Sequence, residues 1–525
     1  MNGRGVIFDL VAAQSPSYRG RGIARYGTEL VRAMVRARPE LVSAVVLHPE
    51  LPRPEGLEDL DEWLTTEPDW TRASVLHLSS VFEPEVPVRT FWPREAAAHR
   101  LFISVTLYDL IPDLFPGWYL EDPGLRRRWR CCREVVRAAD SVLTPSESAK
   151  QDTVELLGVP ERRVTVIGSG TSPIFRRPKS RHAAFGRARK GVAGLEEGFI
   201  IYNGAFAPAK NVDRLVEGYA RLPRDLIERH QLVIACEAPP LTRNHYLVMA
   251  KEMGLEGRVL IPGFVPENVL VGLHQSAALG VFPSLYEGYG LPVIESMACG
   301  TPNIAADNSS LREILPREAR FQGEDPSAIA EAIAQGLTDE PFRQRLIARA
   351  HQEPPSWAQV AARAASVFEK LMGRSCQVRP GWRRRPQLAL VDAPPDLALA
   401  TASLASVDLF GAPDGDAIIA SAPGPGEGPA PLRALSKLDP WRGGYDAVVG
   451  WAGELDGSAL EAMAQLAAQW SGHCIALVGA EVAMRKAAAV SALERSGVKV
   501  LSLEADRDWE DSARRMVATA QGTAG

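Results

Sequence analysis

Several things are missing from this chain. It has no run of about 18 apolar residues, so nothing in it reads as a membrane-spanning helix. Its six cysteines, at 131, 132, 236, 299, 376 and 474, form no CxxC or CxxH pattern, so neither a zinc site nor a disulfide framework is indicated. The N-terminus opens on an apolar strand without the basic and apolar regions of a signal peptide. A reducing cytoplasm is therefore the expected compartment. Neither sign of charge dominates. Fifty-nine Lys and Arg against 64 Asp and Glu leave a net charge of −5, which gives no case for a nucleic-acid partner. What remains is 46% apolar and 23% charged residues, the composition of a soluble globular protein. At 525 residues, one core does not suffice, and two to four domains are expected.

The most informative stretch is Phe282 to Pro302, FPSLYEGYGLPVIESMACGTP. An apolar strand, Leu279–Phe282, runs into a glycine-rich turn, and a helix opens at Leu291-Pro292. Proline suits the first helical position because its missing N–H would have no partner there. Gly288 and Gly290 allow a ligand close to the backbone, and the bare helix N-terminus is a ready anion site. Glu287 and Glu295 flank it with seven residues between them. Phosphate repels carboxylates, so this pair suits hydroxyl groups. A nucleotide sugar needs both kinds of partner, amides for its diphosphate and acceptors for its ribose and hexose hydroxyls.

This run resembles the signature of retaining GT-B glycosyltransferases of family 4, in which a Glu-seven-Glu pair sits inside PSxxEGxGLPxxExMACGTP. The resemblance extends over residues 1–373 and implies two Rossmann-like lobes facing a cleft. It implies that Glu295 binds the ribose hydroxyls, and that Glu287 with the amides of Gly288, Tyr289, Gly290 and Leu291 holds the hexose and β-phosphate. Lys210, just before a helix that starts at Asn211, matches the lysine that neutralises the leaving diphosphate. The usual arginine after Gly204 is here Ala205. Gly204 and the segment Gly263-Phe264-Val265, which resembles the part that reads the nucleotide base, complete the donor side.

Along the chain, Val6–Leu10 reads as a buried first strand. The loop Ser15–Gly22, carrying Arg19, Gly20, Arg21 and Gly22, leads into a helix from Ile23 that carries Arg25. It resembles the GIGRY loop facing donor diphosphate and acceptor, which places Gly22 and Arg25 on the acceptor side. The pieces LHLSSVFEP and TLYDLIPDLFP resemble acceptor-side loops of bacterial polysaccharide mannosyl- and rhamnosyltransferases. Tyr108 stands where many relatives have a hexose-contacting histidine. Asp109 follows a strand end, the usual place for a functional residue in an open α/β sheet, and is a catalytic candidate beside Glu287 and Lys210. The arginine-rich helix Asp122–Ala139 has two readings, a solvated face or a contact for anionic lipid or a polyprenyl-diphosphate acceptor. Strand–helix alternation from Phe199 onward marks a second parallel-sheet lobe. A last helix, SWAQVAARAASVFEKLM, resembles the one that crosses back onto the first lobe.

The expected organisation is α/β throughout. An acceptor-side lobe spans 1–175, a donor lobe with its crossing helix 176–373, a Pro/Arg-rich linker 374–386 and an accessory α/β domain 387–525. The accessory domain lacks a GxGxxG, a Glu pair and a glycine loop after its first strand. Its LALVDAPP, VDLFG and DPWRGGYDAVVGW faintly resemble the first lobe of a second transferase, a vestigial half without a donor lobe.

The function expected from the resemblance is transfer of a hexose, mannose before others, from GDP-mannose or another NDP-hexose to a glycan or lipid-linked acceptor in surface polysaccharide synthesis. Peripheral contact with the inner membrane face is compatible with it. The donor lobe carries no DxD-like motif, so metal independence is expected, with no cofactor beyond the nucleotide-sugar co-substrate. Two rival readings use the same fold: a sugar-nucleotide epimerase, and a non-catalytic scaffold in a polysaccharide-assembly complex.

Overall fold

The computed structural model describes residues 5–18, 22–83, 85–86, 96, 99, 101–351 and 356–373, and six strands beyond residue 386. The expectations for Arg19, Gly20 and Arg21, for the linker, and for the helices of the accessory domain lie outside the described residues. Packing divides the chain into two compact units, Met1–Tyr119 with Val136–Ser375, and Leu120–Val135 with Cys376–Gly525. The second unit therefore takes in most of the arginine-rich helix Pro123–Ala138, which sequence reading gave to the first lobe. A boundary read along the chain does not see a segment that groups with residues some 250 positions away.

The first unit holds two parallel sheets. One is built from β1 (Gly5–Asp9), β2 (Val42–Val46), β3 (Leu64–Thr65), β4 (Ala73–Leu78), β5 (Phe102–Thr106), β6 (Ser141–Thr144) and β7 (Val164–Val166), in the order β3-β2-β1-β4-β5-β6-β7. The other contains β8 (Ile200–Asn203), β9 (Leu232–Ala235), β10 (Val259–Leu260), β11 (Leu279–Phe282), β12 (Asn303–Ala306) and β13 (Arg320–Phe321), in the order β10-β9-β8-β11-β12-β13. β1 (GVIFD) and β11 (LGVF) are buried along their whole length. Such runs are what strands covered by helices on both faces require. In each sheet the chain first winds outward in one direction and then in the other. The reversal falls between β1 and β4 in the first sheet and between β8 and β11 in the second. Ligands of doubly wound sheets sit beyond the carboxyl ends of the strands at this reversal, where Asn203-Gly204 and Pro283–Glu287 lie.

The crossing helix is present. Trp357–Met372 starts with a reciprocal cap between Ser356 and Gln359. It buries Val360, Ala361, Ala364, Phe368 and Leu371 in the core of the first lobe with Phe8, Tyr26, Leu30 and Met34. Phe368 meets Phe8 edge-on at 5.7 Å and the buried His77 at 5.2 Å. Burying one such ring contributes about 2–3 kcal/mol, so this helix binds the end of the second lobe firmly to the first.

The second unit contains β14 (Gln387–Val391), β15 (Ser406–Phe410), β16 (Leu432–Leu435), β17 (Ala447–Trp451), β18 (His473–Gly479) and β19 (Val498–Leu503). They form one parallel sheet in the order β16-β15-β14-β17-β18-β19. Each of the three sheets therefore repeats the same outward-and-back winding. Among the described residues no helix is long and apolar enough to cross a membrane.

Candidate active site

β11 ends at Phe282, and the turn after it is held by hydrogen bonds from several directions. Leu285 N donates to Ala209 O (2.8 Å), Asn308 Nδ2 to Ser284 O (2.7 Å), Glu287 N to Ser309 Oγ (2.9 Å) and Ser310 Oγ to Glu287 O (2.9 Å). Ser284 Oγ donates to Glu287 Oε1 at 2.7 Å, and Lys210 Nζ reaches the same oxygen at 2.7 Å. The lysine arrives there because Pro208–Lys210 forms a tight turn closed by Asn211, whose backbone is left-handed at φ 59°. Asn211 Nδ2 ties this turn to the carbonyls of Pro283 (3.1 Å) and Gly323 (2.7 Å). Asparagine tolerates that conformation better than most residues, and its amide joins the Lys210 and Glu287 loops. Sequence reading missed Asn211. An Asn directly after the lysine, at a helix start, was the available signal.

The Leu291–Ala298 helix begins at Gly290, which has φ 95° and serves as its N-cap, with Pro292 in the first turn. Gly288 has a different purpose from close ligand approach alone. A Cβ built on it would stand 2.3 Å from the carbonyl oxygen of Tyr108, in the other lobe. Its own carbonyl accepts Ser146 Oγ at 2.6 Å, also from the first lobe. The two lobes thus touch through backbone at this glycine. Further contacts line the same seam. Glu313 accepts the backbone N–H groups of Glu147 (3.0 Å) and Ser148 (2.9 Å) at a helix N-terminus, where negative charge is favoured. Tyr286 bonds Ser148 and Asp152.

Glu295, one turn into the helix, is buried to a side-chain exposure of 4% and meets Arg25 Nη1 at 2.6 Å. Arg25 stands on the Gly22–Ala37 helix of the first lobe. That helix abuts the Leu291–Ala298 helix, since a Cβ on Gly22 would lie 3.3 Å from Leu291 Cδ1. Burial pushes the Glu295 carboxyl up, and Arg25 opposes that shift. Each glutamate of the pair therefore holds one cation, Lys210 from its own lobe and Arg25 from across the seam.

The other expected residues fall as follows. Asp109 lies in the seam, with its Cβ 3.0 Å from where a Gly288 Cβ would be. Its Oδ1 accepts Ile111 N–H at 3.1 Å, and burial raises its carboxyl pKa while that N–H and Lys210 pull it down. Tyr108 packs edge-on against Tyr26 at 5.1 Å, and its hydroxyl donates to Ser79 O at 2.8 Å, inside the first lobe. A Cβ on Gly204 would stand 2.5 Å from the Tyr202 hydroxyl, so glycine is required there. Gly263 has φ 80°, Phe264 is exposed and Val265 packs on the core of the second lobe. The Tyr289 ring turns toward the crossing between the lobes. Three consecutive carbonyls of that crossing are each held by a different element: Ile167 O by Arg363 (3.1 Å), Gly168 O by Tyr26 (2.5 Å) and Ser169 O by Tyr289 (3.5 Å).

These features define a class: a GT-B fold whose two lobes carry glycosyltransferase domains. Residues 20–173 match the family described as Glycosyltransferase Family 4, and residues 188–353 match Glycosyl transferases group 1. The two matches fall one in each lobe of the first unit. The serotype-specific mannosyltransferase WbdA of Escherichia coli is 32% identical over 278 residues, 52% of this chain and 34% of that protein. The chain thus spans about a third of that relative's length. O-antigen chain mannosyltransferase B of Escherichia coli is 26% identical over 393 residues, covering 69% of this chain and 99% of its own. Among solved structures, Anabaena HepE in complex with UDP and glucose superposes with a TM-score of 0.54 at 14% identity, over 70% of this chain and 100% of that one.

Proposed function

We propose that the chain transfers a hexose, mannose in the first instance, from a nucleotide sugar to a glycan or lipid-linked acceptor in the synthesis of a surface polysaccharide. The observation that carries this reading is the pair of glutamates flanking the N-terminus of the Leu291–Ala298 helix, each with a cation on it. Amides and cations suit a diphosphate, and carboxylates suit sugar and ribose hydroxyls. The two E. coli mannosyltransferases support the choice of sugar and the setting.

In this reading Glu295 takes the ribose, Glu287 takes hexose hydroxyls, and Lys210 meets the charge that develops on the departing phosphate. In a cleft of effective dielectric near 20, a charge pair at 4 Å is worth about 4 kcal/mol. The bond from sugar C1 to the β-phosphate oxygen breaks, and a bond from C1 to the acceptor hydroxyl oxygen forms on the same face. The hydroxyl proton leaves on the phosphate oxygen, so the anomeric configuration is retained. Helix N-terminus and lysine serve in place of a metal, and the nucleotide sugar is the sole co-substrate. The chain works in the cytoplasm, at the inner membrane face when its acceptor is lipid-linked.

The test is release of nucleoside diphosphate from a panel of nucleotide sugars with and without lipid-linked acceptor. Product anomers are read by NMR, and the assay is repeated with EDTA. Turnover of GDP-mannose that survives EDTA and gives an α-linked product from the α-linked donor supports the reading. Nucleotide binding without turnover of any donor would favour the scaffold instead.

A further inference from the structure

The Arg25–Glu295 pair joins residues 270 positions apart in sequence and belonging to different lobes. We propose that Arg25 is a positioning residue for the nucleotide site: the first lobe supplies the cation that keeps the donor lobe's ribose carboxylate competent to accept hydroxyl groups. This rests on the assignment of Glu295 to the ribose.

The geometry supports it in three ways. Arg25 Nη1 holds Oε1 of Glu295 at 2.6 Å. Among the described residues Oε2 takes no hydrogen bond, so one carboxylate oxygen remains for a substrate. Arg25 is itself placed by the Phe175 ring, with its guanidinium carbon 5.9 Å from the ring centroid, and by the packing of Gly22 on Leu291. Among the described residues it has no other ion pair. Finally, among the described residues Arg25 is the one cation paired with Glu295. Among the described residues, the charged and titratable groups coupled to this pair are Glu267 on the Glu267–Ser276 helix and Cys299 just past its own helix, which act on Glu295, and His274, which acts on Arg25. Glu267 is an acid and raises the Glu295 carboxyl further. His274 is fully buried and pushed down to about 3 by that burial, then by Arg25, so it stays neutral. The Cys299 thiol is pushed up to about 12 and carries no positive charge.

A buried carboxylate deprived of its cation takes up a proton, and the protonated group loses acceptor capacity. Two consequences follow. Nucleotide affinity becomes a property of the two lobes together, since opening the seam withdraws Arg25 from Glu295. The loss caused by removing Arg25 also grows as pH falls.

The experiment is calorimetric titration of the full chain with GDP, UDP and ADP between pH 6 and 8.5, with each variant expressed as a ratio to wild type at the same pH. This ratio cancels the ionisation of the nucleotide. Arg25→Gln is expected to bind about tenfold more weakly relative to wild type at pH 6 than at pH 8.5. Arg25→Lys should restore a flat ratio near one. In an Glu295→Gln background, Arg25→Gln should cost nothing more and show no pH dependence. A pH-independent loss that persists in that background would mean that Arg25 meets the diphosphate directly, which overturns the proposal. Arg25→Gln binding like wild type at every pH would overturn it as well, while the functional reading stood. Wild type binding none of the three nucleotides would remove the functional reading, and this proposal with it.

Discussion

Lys210 Nζ and Ser284 Oγ converge on the same oxygen of Glu287, each at 2.7 Å. The carboxylate is therefore fixed in place before any substrate arrives, and the lysine is held at the mouth of the turn rather than extended into solvent. Preorganised charge of this kind acts without reorganisation at the moment of reaction.

For this reason Lys210→Ala should lower turnover by about 10²–10³-fold, the usual loss when one preorganised donor is removed. Steady-state release of nucleoside diphosphate measures it. Near-normal turnover would mean that another cation serves the leaving group, a real issue given Ala205.

The two glutamates should separate by ligand. Glu295→Ala is expected to weaken the free nucleoside diphosphate itself, whereas Glu287→Ala should spare it and depress turnover. Titration with nucleotide and then with nucleotide sugar distinguishes them. Equal loss of nucleotide affinity in both variants would contradict the division of roles.

Gly288→Ala places a methyl group 2.3 Å from the Tyr108 carbonyl oxygen. Backbone on both sides cannot yield by that much, so the lobes should part. Small-angle scattering should show a larger radius of gyration than wild type, and turnover should fall together with it. An unchanged radius with full activity would show that the seam is not needed closed.

Asp9 provides a stability test. Its carboxyl is buried, with Oδ1 on Val11 N–H at 3.3 Å and Oδ2 without a partner among the described residues. Burial, then the charge of Glu83, raises its pKa well above the usual value. An acid whose pKa rises on folding contributes stability that is complete below its unfolded pKa, about 3.9, and is lost as pH climbs through the folded value. Asp9→Asn removes that loss. Its Tm should match wild type near pH 4 and exceed it by about 2 °C at pH 8, as expected for ~1 kcal/mol in a protein of this size. A difference of the same size at both pH values would assign the effect to packing instead.

Much of the site could be read directly from local sequence. The strand, glycine turn and proline-started helix of residues 279–298 follow from apolar runs, from the φ 95° that Gly290 adopts, and from proline's tolerance at a helix start. The Glu pair was visible because its spacing along one chain segment fixes its relation to that helix, whereas Lys210, 77 residues before Glu287, was named from the resemblance alone. Tyr108 shows the limit of such reading: its position at a strand end was legible, but the direction of its hydroxyl, toward Ser79 O, was not.

What the sequence determined by itself was the set of local units: buried parallel strands, their connecting helices, and the turns that end at a carboxyl edge. Hydrophobic period and backbone stereochemistry act over a few residues, so they can be read in a few residues. The tertiary structure alone decided which partners meet. It set Arg25 on Glu295, Gly288 against Tyr108, and Tyr26, Tyr289 and Arg363 on three successive carbonyls of the lobe crossing. Those distances depend on how two separately wound sheets are packed by the Trp357–Met372 helix. No short-range pattern encodes the meeting of side chains separated by 270 residues, because only the summed burial of both cores brings them within hydrogen-bond reach.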